Sequence, residues 1–494
     1  MRAGRVALML FAASLAACKV GPNFKPPQEP VPDQYAGVKA LPPQPAPQPS
    51  SDSAPPAFWW REFHDPELDE LIDTAQRGNL DLKGAYLRIV EARIQVQAAR
   101  AQGLPSLDAS AAYTREQLGI AGILKSQGFD TATGPAASPA AQGLIASLEK
   151  PFNIYQLGFD ASWEIDLFGK VRRSVEAANA QSVAAVESRN DLLVSLEAEV
   201  AQTYFQLRAS QTLRQITLDE IAAQREIADL TQNRYEHGLA GEPDVDVARA
   251  QLTSLQAQLP PYEQTIAASR HALAVLIGET PESLDARFGD HGELPPLPAS
   301  VPVGVPSVLA RRRPDIRNSE AVLHAATAEI GVSIAGLYPD VSLAGSYGLR
   351  NVSTGYLFDW SSHFYSFGPT VSLPIFQGGA LIASVRLSRA QAAEAALSYR
   401  KTVLNALQEV EDGLSALDED ARRIAALQQT VGADQRAVEV QLDAYGHGVI
   451  SYITVLTLQL QMIQARQQLA EAMLAQSTDL VKLYKALGGG WQDA

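Results

Sequence analysis

Between residues 156 and 166 apolar and polar side chains alternate: Leu157, Phe159, Ala161, Trp163 and Ile165 against Gln156, Gly158, Asp160, Ser162 and Glu164. A period of two predicts a β-strand whose two sides meet different environments. Three more segments share the pattern. Near 104–114, Leu107, Ala109, Ala111 and Tyr113 oppose Ser106, Asp108, Ser110 and Thr114. Near 338–349, Val341, Leu343, Gly345, Tyr347 and Leu349 oppose Ser342, Ala344 and Ser346, with Arg350 continuing the polar side. Near 365–375, Phe367, Pro369, Val371, Leu373 and Ile375 oppose Ser366, Gly368, Thr370 and Ser372.

Elsewhere the period lengthens to that of a helix, as in Leu68, Leu71, Ile72 and Ala75, or Ile89, Ala92 and Val96. The longest such stretch, Phe168 to His237, has no proline and one glycine, Gly169, and consists mainly of strong helix formers. As one helix it would be about 100 Å long. Its counterpart starts at Ile375-Phe376-Gln377-Gly378-Gly379 and closes at Ala444–Gly448, with Gly413 and Gly432 as expected interruptions. Shorter helices are expected from Pro66 to Gln102, Val245 to Ile277, Arg313 onward, and Tyr452 to about Leu487.

Each half therefore reads helix, strand, loop, strand, long helix, turn, helix, the mark of an internal repeat. The first repeat spans 58–280 and the second 310–487, joined by a proline-rich linker at 281–309 and followed by a tail at 488–494. The loop between strands, roughly 115 to 150, is longer in the first half.

The amino terminus adds a compartment. Arg2 and Arg5 precede a short apolar run, Val6 to Ala13, and then Leu15-Ala16-Ala17-Cys18, so residues 1–17 read as a lipoprotein signal peptide. The sole cysteine, Cys18, stands where a lipobox places the acceptor of S-diacylglycerol and N-acyl lipid, which precludes a disulfide within the chain. Residues 18–57, rich in Pro, Gln, Ser and Ala, read as an extended tether. Trp59 and Trp60 are expected to anchor it to the body.

A net charge of -15, from 40 basic and 55 acidic residues, argues against nucleic acid as a partner. No HExxH, GxxxxGK[ST] or GxSxG pattern occurs, so no catalytic centre, metal site or cofactor is expected. The strands carry the functional argument. A sheet with one side toward lipid must close upon itself, and four strands are too few for a pore, whereas three copies supply twelve. A small soluble sheet is the alternative reading of the strands. A structural lipoprotein tethering envelope layers without a pore is the alternative function.

Several blocks support the first reading: LAAC at 15–18, VGPNFKPP at 20–27, FWWREFHDPELDELI at 58–72, WEIDLFGKVRRSVEAANA at 163–180, ARRRPDIRNSE at 310–320, and LYKALGGGW at 483–491. With the paired turns YEHG (235–238) and YGHG (445–448), the chain resembles the outer-membrane factors of tripartite efflux pumps, in the lipoprotein branch associated with RND-type (resistance-nodulation-division) transporters. The resemblance covers essentially the whole chain. It implies a mixed α/β membrane protein: a homotrimer with a twelve-stranded β-barrel in the outer membrane, four strands from each protomer, continued by a long periplasmic α-helical barrel. It also implies a passive exit conduit for drugs or small compounds, supplied by an inner-membrane transporter through a periplasmic adaptor (membrane fusion protein).

By the same resemblance, Tyr235, His237, Gly238, Tyr445, His447 and Gly448 mark the periplasmic tips and adaptor contacts. The chain departs from the family pattern after the second tip. Family members often carry Asp there, but Gly448 to Gln459 contains no carboxylate. The first half keeps Glu242, Asp244 and Asp246, which read either as helix N-terminal acids around Pro243 or as a pore constriction or tip ion pairs. The entrance constriction is accordingly expected to involve those acids together with Ile450 and Tyr452, with apolar contact prominent. Asp108, Asp160 and Glu164, on the polar side of the strands, suggest a cation-tolerant outer section.

Overall fold

A computed structural model describes residues 19–27, 30, 32–38, 48–50, 56–117, 119, 126 and 150–492. The expected signal peptide, Cys18, most of the tether and most of the first inter-strand loop lie outside them. The chain divides into two compact units. The first comprises the described residues up to Phe24 with Arg93–Asn179 and His324–Ala393, and the second comprises the remainder.

The first unit holds a four-stranded antiparallel sheet. Strands β2 (Ser106–Glu116), β3 (Phe152–Ile165), β5 (Asp340–Asn351) and β6 (His363–Ser372) lie in the order β2-β3-β5-β6. The two hairpins meet through β3 and β5, pairing Leu157 with Leu349 and Phe159 with Tyr347. This register places the alternating apolar residues of all four strands on one side, while Phe152, Ile154 and Phe364 stand on the other. Strand ends differ from expectation where proline intervenes. β5 starts after Pro339 and β6 ends before Pro374, whereas Pro369 is accommodated inside the outer strand β6, opposite Leu343. Ile375 is thus outside the strand and 91% exposed.

Two helices of 67 residues each, α3 (Lys170–Glu236) and α8 (Ala380–Gly446), contribute to both units. Gly413 and Gly432 do not interrupt α8. At Gly413 the absent side chain admits Leu483, whose Cδ1 would lie 3.2 Å from an added Cβ. The other helices are α1 (Pro66–Gly78), α2 (Leu80–Ala101), α4 (Glu242–Gln256), α5 (Leu259–Leu276), α6 (Pro306–Arg312), α7 (Pro314–Ala335) and α9 (Tyr452–Ala486).

Two helices expected to be continuous are broken. Asn79 separates α1 from α2: its Oδ1 accepts the Leu82 amide at 2.9 Å, and its Nδ2 donates to the Leu276 carbonyl at 3.0 Å. Pro260 and Pro261 similarly confine α5 to a fresh start at Leu259. The proline-rich linker holds more order than its composition suggested. It contains α6 and strand β4 (Ser300–Pro302), which pairs in parallel with tether strand β1 (Gln48–Ser50).

The second unit has an aromatic core. Trp59, Trp60 and Phe63 are fully buried, and Trp59 stacks on Tyr484 at 5.3 Å between centroids. Part of the tether lies against the body. Tyr35 is buried, and the Ala36 and Gly37 amides donate to Glu411 at 2.7 and 2.9 Å.

Candidate functional site: hairpin tips, sheet faces and an N-terminal socket

The two hairpin tips are chemically matched. Gly238 (φ +74°) and Gly448 (φ +77°) take the left-handed conformation that ends a helix without a Cβ clash. The amides of Gly238 and Leu239 donate to the Tyr235 and Arg234 carbonyls at 2.9 and 2.8 Å. In the second half Gly448 and Val449 donate to Tyr445 and Ala444 at 2.9 and 3.0 Å. His237 and His447 are exposed, and their Nδ1 atoms lie 2.8 and 2.9 Å from the carbonyls four residues earlier.

The tyrosines break this symmetry. Tyr235 is 42% exposed and Tyr445 is 3% exposed. Arg234, whose counterpart is Ala444, lies over the Tyr445 ring at 4.6 Å and donates to the Tyr445 carbonyl. The Tyr445 phenol meets the Thr231 hydroxyl at 3.2 Å. Beside it Tyr452, 1% exposed, accepts a 2.8 Å hydrogen bond from Gln224, which also donates to the Ala248 carbonyl at 3.1 Å. Ile227, Ala248, Val455 and Leu456 complete this core, and half-buried Ile450 packs against it.

The structure therefore brings Ile450, Tyr452 and Tyr445 together and leaves the acids apart. Glu242 and Asp246 are exposed on α4. Asp244 is half-buried and accepts the Gly241 amide at 3.2 Å, so it caps the helix.

In the first unit, both sides of the sheet are accessible. Phe367 is 81% and Leu107 70% exposed on the apolar side. On the other side Asp108 stands directly opposite Asp160, which accepts a hydrogen bond from Ser110 at 3.1 Å. Among the described residues no group of three or more His, Cys, Asp or Glu is disposed to hold a metal ion. No described helix is long and apolar enough to cross a membrane.

One site has no counterpart in the sequence patterns. Arg173, in the first turns of α3, is fully buried and binds the segment that follows Cys18. Its Nε donates to the Val20 carbonyl at 3.0 Å, and its Nη2 to Gly21 O and Asn23 Oδ1 at 3.0 and 2.9 Å. The remaining nitrogen, Nη1, reaches Glu176 at 2.9 Å. Glu176 also pairs with Lys19 and lies 3.1 Å from His324, on which Phe24 stacks at 4.3 Å. Burial opposes the charge on Glu176, but hydrogen bonds from Lys19, His324 and Arg173 prevail and hold its carboxyl down at about 2. Gly21 (φ +89°) fits so closely that a Cβ would lie 2.5 Å from the Gly331 Cα. The only signal lies in the glycines and arginines of VGPNF and LFGKVRR, which are 150 residues apart and form no local pattern.

The chain matches the family described as outer membrane efflux protein over residues 71–279 and 305–489. It is 31% identical over 498 residues to the toluene efflux pump outer membrane protein TtgC of Pseudomonas putida, covering 99% of this chain and 96% of that one. It is 30% identical to nodulation protein T of Rhizobium leguminosarum bv. viciae, covering 99% and 94% respectively. Among solved structures, the outer-membrane channel OprN has a TM-score of 0.84 at 30% identity, covering 96% of this chain and all (100%) of that one. The open state of the Neisseria gonorrhoeae MtrE outer membrane channel has a TM-score of 0.77 at 28% identity, covering 96% and 98%. The strand pair in each half, the 67-residue helices and these matches agree, and the chain belongs to the outer membrane efflux protein family, the outer-membrane channel components of tripartite efflux systems.

Proposed function

We propose that the protein is a homotrimeric exit channel, of the lipoprotein branch, in an efflux pump driven by an RND-type transporter. In this reading it passively conducts drugs or other small compounds passed on by the transporter and a periplasmic adaptor. The observation that carries the reading is the sheet. Among the described residues its outer strands β2 and β6 each present an unpaired edge, and one exposed side is largely apolar while the other is largely polar. Such a sheet is stable in lipid only when its edges are paired. Three protomers with four strands apiece close a twelve-stranded barrel whose polar sides line water. Relatives named for toluene and antibiotic efflux support drugs or other small compounds as cargo.

Lipid on Cys18 anchors each protomer in the outer membrane, and the socket around Arg173 fixes the residues beside it. The tips receive the adaptor. Tyr235, His237 and His447 offer exposed contacts, while Gly238, Gly448 and buried Tyr445 set their geometry. Closure of the entrance depends on the core around Ile450 and Tyr452, with Glu242, Asp244 and Asp246 setting charge nearby.

Reconstitution of the purified, lipidated protein into planar bilayers tests the reading. A trimer with discrete openings is expected. A monomer or a silent trimer would overturn it and favour a tether between envelope layers.

A further inference from the structure

Across the polar side of the sheet, Ser110, Gly158, Gly348 and Phe364 form one row. Phe364 departs from its neighbours on that side of β6, Ser366, Gly368 and Thr370. Its ring lies back over the two glycines. A Cβ built on Gly348 would sit 2.9 Å from the ring's Cε1, and one on Gly158 3.8 Å from its Cζ. Arg350 covers the same ring, with Cζ 5.1 Å from the centroid. Its Nε and Nη2 both donate to Gln156 Oε1, at 3.0 and 2.7 Å, across the adjacent row. Glycine beneath, the ring between and Gln156 beside therefore pin the guanidinium close to the sheet.

The charge of this arrangement is unusual for its surroundings. Among the described strand residues, Arg350 is the one basic side chain on the polar side, which otherwise carries Asp108, Glu116, Asp160, Glu164 and Asp340. Its two hydrogen bonds go to a neutral amide, which does not cancel its charge, and the residue is exposed. A planar guanidinium can take a carboxylate or sulfonate through its edge and an aromatic ring on its face.

We infer that Arg350 and Phe364 form a specificity-determining contact at the outer end of the conduit, favouring compounds that join an aromatic ring to an acidic group. The contact binds in passing: it offsets the repulsion that the acidic rows below impose on an anion. The glycine seat lets Phe364 lie close to the sheet, because a Cβ at position 348 would meet Leu157 O at 2.4 Å and Gly158 Cα at 2.8 Å as well as the ring. The inference rests on the conduit reading, in which this side of the sheet lines water.

Planar-bilayer recording of the full lipidated protein tests it, with 2-naphthalenesulfonate and 2-naphthylmethylammonium as paired probes of similar size. Wild-type current is expected to be blocked by the sulfonate at lower concentration than by the ammonium. Arg350→Gln should weaken sulfonate block roughly tenfold, the scale of one charge-assisted hydrogen bond. Phe364→Leu should weaken it less. Normal openings with unchanged sulfonate block in both Arg350→Gln and Phe364→Leu would overturn the inference and leave the conduit intact. Absence of openings in the wild type would overturn the conduit reading itself.

Discussion

Replacing Arg173 with methionine should release the segment that follows Cys18 while leaving α3 folded. Three of the four hydrogen bonds from the guanidinium go to residues 20, 21 and 23, and the fourth goes to Glu176. Bonds from a charged donor contribute about 1.5–3 kcal/mol each. Their sum overstates the effect, because the released carbonyls can reach water. Removing one partner of a buried, bonded ion pair costs about 3–5 kcal/mol, the more appropriate scale here. At about 1.4 kcal/mol per decade, the docking equilibrium falls by two to three and a half powers of ten. The assay is amide exchange at Val20, whose N–H donates to the Phe168 carbonyl at 3.2 Å. Gly21→Ala attacks the same docking independently, since its Cβ would meet the Gly331 backbone at 2.5 Å. Because the Glu176 carboxyl is held near 2 against an ordinary 4.5, its contribution is complete above 4.5 and is lost as pH falls toward 2. Val20 protection within threefold of wild type in Arg173→Met would refute the account.

Other consequences are open to direct measurement. Glu197 is fully buried, and burial raises its carboxyl well above the ordinary 4.5, only partly opposed by a hydrogen bond from Gln76 and by Arg189. It therefore binds its proton more tightly folded than unfolded, and stability declines as pH rises above 4.5; Glu197→Gln should flatten that slope in melting curves at pH 5 and 8. Tyr452→Phe leaves the Gln224 amide without its phenol partner, 2.8 Å away, and should loosen the tip core by about 1 kcal/mol, read as more frequent spontaneous openings. If the polar side of the sheet lines water, the double substitution Asp108→Asn, Asp160→Asn should shift the reversal potential in a salt gradient toward anions, and an unchanged potential would place the pair outside the passage.

Elements with a repeating pattern are legible in the amino-acid sequence. Alternation locates all four strands of the sheet, and helix-forming composition locates both long helices to within a few residues. Legibility ends where a single residue acts through a distant one. Asn79 breaks a helix because Leu276 offers its side chain a carbonyl, and Gly413 fails to break one because Leu483 fills the space beside it. The Arg173 socket has the same character: each ligand is ordinary in its own segment, and the site exists only after chain segments far apart are brought together. The tips are legible as glycine turns, but the burial of Tyr452 is not, since it depends on Gln224 and Ala248 from the other half.

That dependence is informative about how a duplicated chain acquires a directional function. Two identical hairpins would present identical tips. Here the first retains an exposed Tyr235 and a first turn of acids, whereas Arg234 draws the equivalent Tyr445 inward by its carbonyl and ring. A single arginine, matched by Ala444 in the other half, thus commits the second tyrosine to cohesion between the hairpins and leaves the first exposed. Arg234→Ala removes the cation–π contact and a carbonyl ligand together, and these are worth about 1–3 kcal/mol in a partly desolvated setting. Exchange at the tip amides and exposure of Tyr445 to surface labelling should both rise, while labelling of Tyr235 stays constant. If Tyr445 remained protected without Arg234, apolar packing against Tyr452 and Leu442 would suffice to hold it, and the two tips would owe their difference to their helices rather than to that one guanidinium.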